Sequence, residues 1–103
     1  MVEFNYNPDE KILTVVFNGR MDSVAALKLN EILGAEQVMK DRKPDDRLVF
    51  DLKDVDYIAS SFIRICVCQA KAAGAGKFSI VHCQPDVKKI FQISGLDEVL
   101  NIN

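Results

Sequence analysis

The sequence predicts an α/β fold: one mixed, mostly parallel β-sheet with helices packed against it. Three observations carry this reading. Short β-branched and apolar runs at residues 12–17, 48–52 and 78–83 have strand character. Segments of helical spacing or helix-forming composition begin near Val24, Ser61 and Pro85. The two kinds alternate along the chain, and strand–helix–strand alternation favours parallel neighbours with helices covering the sheet. At 103 residues the chain has the size of one domain, residues 1–103.

Each element has a local reason. Residues 4–6 suit a short edge strand, and Asn7-Pro8-Asp9-Glu10 suits the turn after it. Residues 12–17 are apolar or β-branched on both alternating faces, which predicts cover on at least part of both sides. Asp22 or Ser23 is placed to cap a helix over residues 24–40. Ala25, Leu29, Ile32 and Leu33 share one face of it. Val24, Leu27, Ala35, Val38 and Met39 cluster on another, as a wider core contact or an exposed patch. Residues 41–47 are charged and contain Pro44, so they form a solvated loop. Residues 48–52 read as a central strand, with Val55, Tyr57 and Ile58 as apolar anchors beyond it. The stretch from Phe62 to Ala73 is long and Ala-rich at its end, which favours a helix, and Gly74 stops it. Pro85 suits the first position of the last helix and Gly95 its end. Residues 99–102 form a last short strand or turn.

Composition narrows the function. Thirteen basic and 15 acidic residues give a net charge of -2, so no basic excess exists to neutralise a nucleic-acid backbone. No apolar run approaches the ~18 residues of a membrane span. The N-terminus has no basic region followed by an apolar stretch, which points to a cytoplasmic protein. The 3 cysteines, Cys66, Cys68 and Cys83, lack metal or redox spacing and read as reduced thiols, with Cys66 and Cys83 in the core.

An enzyme reading finds no constellation. The one histidine, His82, stands next to Cys83 in a strand pattern, where neighbours point to opposite faces. Asp54 and Asp56 are two loop carboxylates that face water, and no phosphate-binding glycine loop precedes a helix. Neither a cofactor nor a metal is expected.

The distinctive segment runs from Asp51-Leu52 to Ser60-Ser61, where a strand ends and two serines stand at the mouth of a helix. One reading is capping of that helix by Ser60 or Ser61. The other is a phosphorylation switch, since a helix N-terminus favours negative charge.

Asp51-Leu52, Val55, Tyr57-Ile58 and Ser60-Ser61 resemble the signature of STAS domains, the fold of bacterial anti-sigma factor antagonists. Asn18-Gly19-Arg20-Met21-Asp22 is similar to that family's segment before its first helix, and Ile90 to Leu96 to its last helix and Ser-Gly-Leu ending. The resemblance implies the STAS fold and a non-enzymatic, phosphorylation-regulated module. Its partner would be an anti-sigma factor that is also a serine kinase. By position the phosphorylated serine falls on Ser61, with Ser60 just before it, and Asp22, Ala59, Phe62 and Arg64 are the implied partner contacts. The family's usual Asp-Ser-Ser/Thr-Gly is here Ala59-Ser60-Ser61-Phe62. The change removes a carboxylate and adds a ring, from which slow phosphorylation is expected. The same fold also serves as an accessory subunit on a transporter ATPase and as a ligand-binding or scaffolding domain. The sequence names neither the partner nor the oligomeric state.

Overall fold

The computed structural model describes residues 2–103. The elements in chain order are β1 (Val2–Asn7), β2 (Ile12–Asn18), α1 (Ser23–Ala35), α2 (Gln37–Lys40), β3 (Arg47–Asp54), α3 (Ser60–Ala73), β4 (Phe78–Val81) and α4 (Pro85–Ile93). The sheet has the order β1-β2-β3-β4. β1 pairs antiparallel with β2, and β2, β3 and β4 run parallel. This is the mixed, mostly parallel sheet that the alternation predicts.

The register decides which residues meet the helices. Phe4, Val15, Phe50 and Ile80 form one row across the sheet, and Leu13, Leu48 and Phe78 form the next on the same face. All of these but half-buried Phe4 are in the core. Phe50 lies edge-to-face between Phe17 at 4.8 Å and Phe78 at 5.0 Å between ring centroids. The other face carries Thr14, Val16, Val49, Ser79 and Val81, each only partly buried. β2 is therefore covered fully on one side and in part on the other, as its pattern predicts. Successive right-handed crossovers in one direction, β2 to β3 to β4, put α1 and α3 on the same face.

Two expectations are corrected. The predicted single helix over 24–40 breaks at Glu36, whose ψ of 123° is extended, and resumes as α2. At about 100° per residue, a continuous helix would point Val38 roughly 180° away from Leu29. The break lets Val38 and Met39 turn back and pack on the core. β4 ends at Val81 instead of residue 83, because His82 adopts φ +60° and leaves the strand.

The last helix follows its sequence signals. Pro85 stands at its start, and Gly95 (φ +73°) closes its end. Leu96 N donates to Phe91 O and Gly95 N to Gln92 O, both at 3.0 Å, which is a Schellman motif. Beyond it, the short strand or turn expected at residues 99–102 is a turn that ends in a single parallel bridge of Ile102 to Ile80.

Candidate functional site

β2 and β3 end side by side, with Asn18 opposite Asp54. Past them the two connections stay paired. Gly19 N donates to Asp54 O at 3.1 Å, Met21 N to Tyr57 O at 2.9 Å, and Ala59 N to Met21 O at 2.8 Å. Gly19 makes the turn with φ +102°, a conformation that side chains disfavour. Met21 and Ile58 form a parallel bridge and are both buried. The anchors Val55 and Ile58 hold the second connection down, while Tyr57 stays partly exposed. As a result α1 and α3 start next to each other at the C-terminal edge of the parallel strands.

The two starts differ. Asp22 caps α1, its Oδ1 accepting from Ala25 N at 2.9 Å. No side chain caps α3. Its cap position is Ala59, held extended (φ −95°, ψ 164°) by the bond to Met21, so Ser60 and Ser61 are already the first helical residues. The expectation that one of these serines caps the helix is corrected on that ground. Ser60 is exposed. The Ser61 Oγ is shut off from solvent and has no hydrogen-bond partner.

Phe62 departs further from expectation. It is fully buried and stands edge-to-face to Phe17, with centroids 5.4 Å apart and planes at 85°. It presents no surface to a partner and does not crowd an approaching kinase. Its place on the inner side of the first turn makes it a core residue.

Around these starts lies a groove between α1 and α3 of about 220 Å³, lined by Ala26, Leu27, Ser61, Arg64, Ile65 and Cys68 among others. Arg64 and Cys68 are exposed. Val24 is 64% and Leu27 70% exposed, so the second apolar face of the first helix divides into a surface patch at its start and a core contact at Val38 and Met39. The Arg20 guanidinium stacks 3.8 Å from the Tyr57 ring centroid, with its Nε 3.9 Å from Asp22 Oδ2. The sequence had no signal for this stacked pair, because it depends on the pairing of two connections far apart in the chain.

The remaining polar groups do not form a nucleophilic centre. His82 is exposed, and its Nδ1 lies 3.1 Å from Oδ2 of buried Asp51. Asp51 also accepts from Lys53 N at 3.1 Å. Burial pushes the Cys83 thiol up to about 11 and the Cys66 thiol higher still, the reverse of what a thiolate nucleophile needs. Cys66 lies in the core as expected, but Cys83 is only partly buried. Among the described residues no cluster of His, Cys, Asp and Glu is arranged to hold a metal ion.

The sequence profile of the STAS domain family matches residues 3–103. The "Putative anti-sigma factor antagonist BtrV" of Bordetella bronchiseptica is 36% identical over 67 residues, covering 63% of this chain and 58% of that relative's length. The crystal structure of a "putative anti-sigma factor antagonist" from Thermotoga maritima superposes with a TM-score of 0.81 at 17% identity, covering 98% of this chain and 84% of that one. The anti-sigma factor antagonist SpoIIAA in its unphosphorylated form gives a TM-score of 0.76 at 14% identity, over 100% of this chain and 88% of that one. At such identities the two structures establish the fold.

Proposed function

The chain belongs to the STAS domain family, and from that premise we propose that it acts as a non-enzymatic binding protein of the anti-sigma factor antagonist type. It is a single STAS domain that works in the cytoplasm; no helix among the described residues is long and apolar enough to cross a membrane. Its partner is an anti-sigma factor that is also a serine kinase, and it docks on the surface where α1 and α3 begin. The observation that carries this reading is the joining of these two helix starts through Met21 and Ile58, with exposed Leu27 and Arg64 lining the groove that holds Ser61 and exposed Val24 on the first turn of α1. Exposed apolar side chains beside a cation and a stacked Arg–Tyr pair are the composition of a protein-binding surface. Asp22 and Ala59 shape this surface by fixing the two helix starts, and Arg64 contacts the partner.

Phosphorylation at Ser60 or Ser61 is the switch. A phosphate in the first turn of α3 meets uncapped N–H groups and the positive end of the helix dipole, so the fold tolerates it. It also puts about two negative charges where the partner must dock. Ser61 holds the family position, with its hydroxyl facing into the protein, whereas Ser60 is open to solvent. Phosphorylation of Ser61 therefore requires its side chain to rotate into the groove.

The test is to mix the chain with candidate anti-sigma factor/serine kinases from its own organism, once with ADP and once with ATP. A complex with ADP, and one phosphate on Ser60 or Ser61 by intact mass with ATP, is the expected pair of results. Neither complex nor phosphate would overturn the proposal.

A further inference from the structure

A second cleft lies at the opposite end of the sheet, between the β1–β2 hairpin, α2 and the loop into β3. Its volume is about 520 Å³, and its walls include Tyr6, Pro8, Lys11, Val38, Arg42 and Asp46. The carboxylates of this cleft are already engaged. Asp45 Oδ2 accepts from Lys11 Nζ at 2.8 Å, and Asp41 Oδ1 accepts from Gln37 Nε2 at 2.8 Å. Buried Asp46 accepts from the Tyr6 hydroxyl at 3.0 Å and from Lys43 N at 2.9 Å. Of the lining cations, Arg42 and Lys43 are left without a salt bridge among the described residues, and Arg42 is the one with an enclosed polar atom. Its Nε is shut off from solvent without a hydrogen-bond partner. A guanidinium N–H that has lost water and gained no acceptor is matched by an anionic oxygen, which would accept a charge-assisted hydrogen bond once the side chain turns its Nε into the cleft. Pro8, Val38 and the Tyr6 ring supply apolar wall beside it. The volume falls within the ordinary range of small-molecule sites.

We propose that this cleft binds a small molecule carrying a carboxylate or phosphate head on an apolar body, with Arg42 holding the head and Tyr6, Pro8 and Val38 the body. The site stands apart from the partner surface, since it lies at the N-terminal end of β3 and Ser60 and Ser61 lie beyond its C-terminal end. Occupation of one leaves the other open.

The experiment is an NMR titration of the ¹⁵N-labelled chain with phenyl phosphate, benzoate and inorganic phosphate in turn. Saturable shifts confined to residues 6–11 and 38–46 are expected with at least one of the two organic anions, and which one binds more tightly identifies the head. Arg42→Gln should weaken that binding about tenfold or more, the loss of one charge-assisted hydrogen bond. Contacts between phenyl protons and the Val38 methyl groups, seen as intermolecular NOEs in the unaltered chain, test the same site without a variant. The proposal is overturned if neither organic anion gives saturable shifts, or if inorganic phosphate binds as tightly as phenyl phosphate. It is equally overturned if Arg42→Gln binds undiminished, or if the phenyl–Val38 contacts are absent.

Discussion

Ala59 donates its backbone N–H to the carbonyl of Met21 at 2.8 Å, and this bond ties the start of α3 to the start of α1. Its consequence is local and energetic. It makes Ala59, a residue with no capping group, the cap of a helix whose neighbour is capped by Asp22.

A carboxylate at residue 59 should therefore stabilise the fold. Ala59→Asp is expected to add about 1 kcal/mol, and Asp22→Ala to remove about 1 kcal/mol. Urea denaturation of the two variants at neutral pH checks both. A destabilised Ala59→Asp would mean that the first turn of α3 does not have the geometry described.

Ser61→Ala removes a buried hydroxyl that has no partner. Because an unsatisfied buried polar group is unfavourable, the variant should be as stable as the parent or more stable by up to ~1 kcal/mol. The sequence, read with a serine as the cap, leads to a loss of similar size instead. A thermal or urea midpoint separates the two, and a clear loss would show that the hydroxyl is bonded in solution.

Phe62 belongs to the core, so restoring the family's glycine there cannot be a surface change. Phe62→Ala is expected to cost about 3–5 kcal/mol, a large part of the stability of a domain this size. Denaturant unfolding measures it. A loss below about 1 kcal/mol would place the ring at the surface.

The thiols give a pH dependence with a definite sign. Burial raises Cys83 from the ordinary 9.0 to about 11, so the folded chain keeps its proton while the unfolded chain releases it. This contribution to stability is complete below the ordinary thiol value and is lost as pH rises from about 9 towards about 11. Buried Cys66 acts in the same direction. Cys83→Ala should show a shallower alkaline fall in urea midpoint than the parent, and equal slopes would contradict the burial of Cys83. In the native chain a thiol-reactive dye should modify exposed Cys68 first and Cys66 only on unfolding.

How much of this was legible depends on whether the controlling interaction is local. The β-branched runs, Pro85 and Gly95 act within a few residues, so the central strands and the last helix stand where their patterns indicate. Asp22 was readable as a cap for the same reason. The break at Glu36 is set by the need of Val38 and Met39 to reach a core built by other elements. The left-handed His82 accompanies a contact with Asp51 on a different strand. At the candidate site the position of the serines was legible but their roles in the first turn were not. A bond from Ala59 to Met21, across a sequence gap, fixes where the helix begins and hence that Ser61 and Phe62 turn inward.

The central claim, that the paired starts of α1 and α3 form the partner surface, is tested most directly by an NMR footprint. The ¹⁵N-labelled chain would be titrated with the unlabelled anti-sigma factor/serine kinase in the presence of ADP. Line broadening concentrated in residues 20–30 and 57–69, with Val16, Val49 and Val81 on the open sheet face unaffected, is the expected result. A footprint on that open face, or no broadening at all, would contradict it.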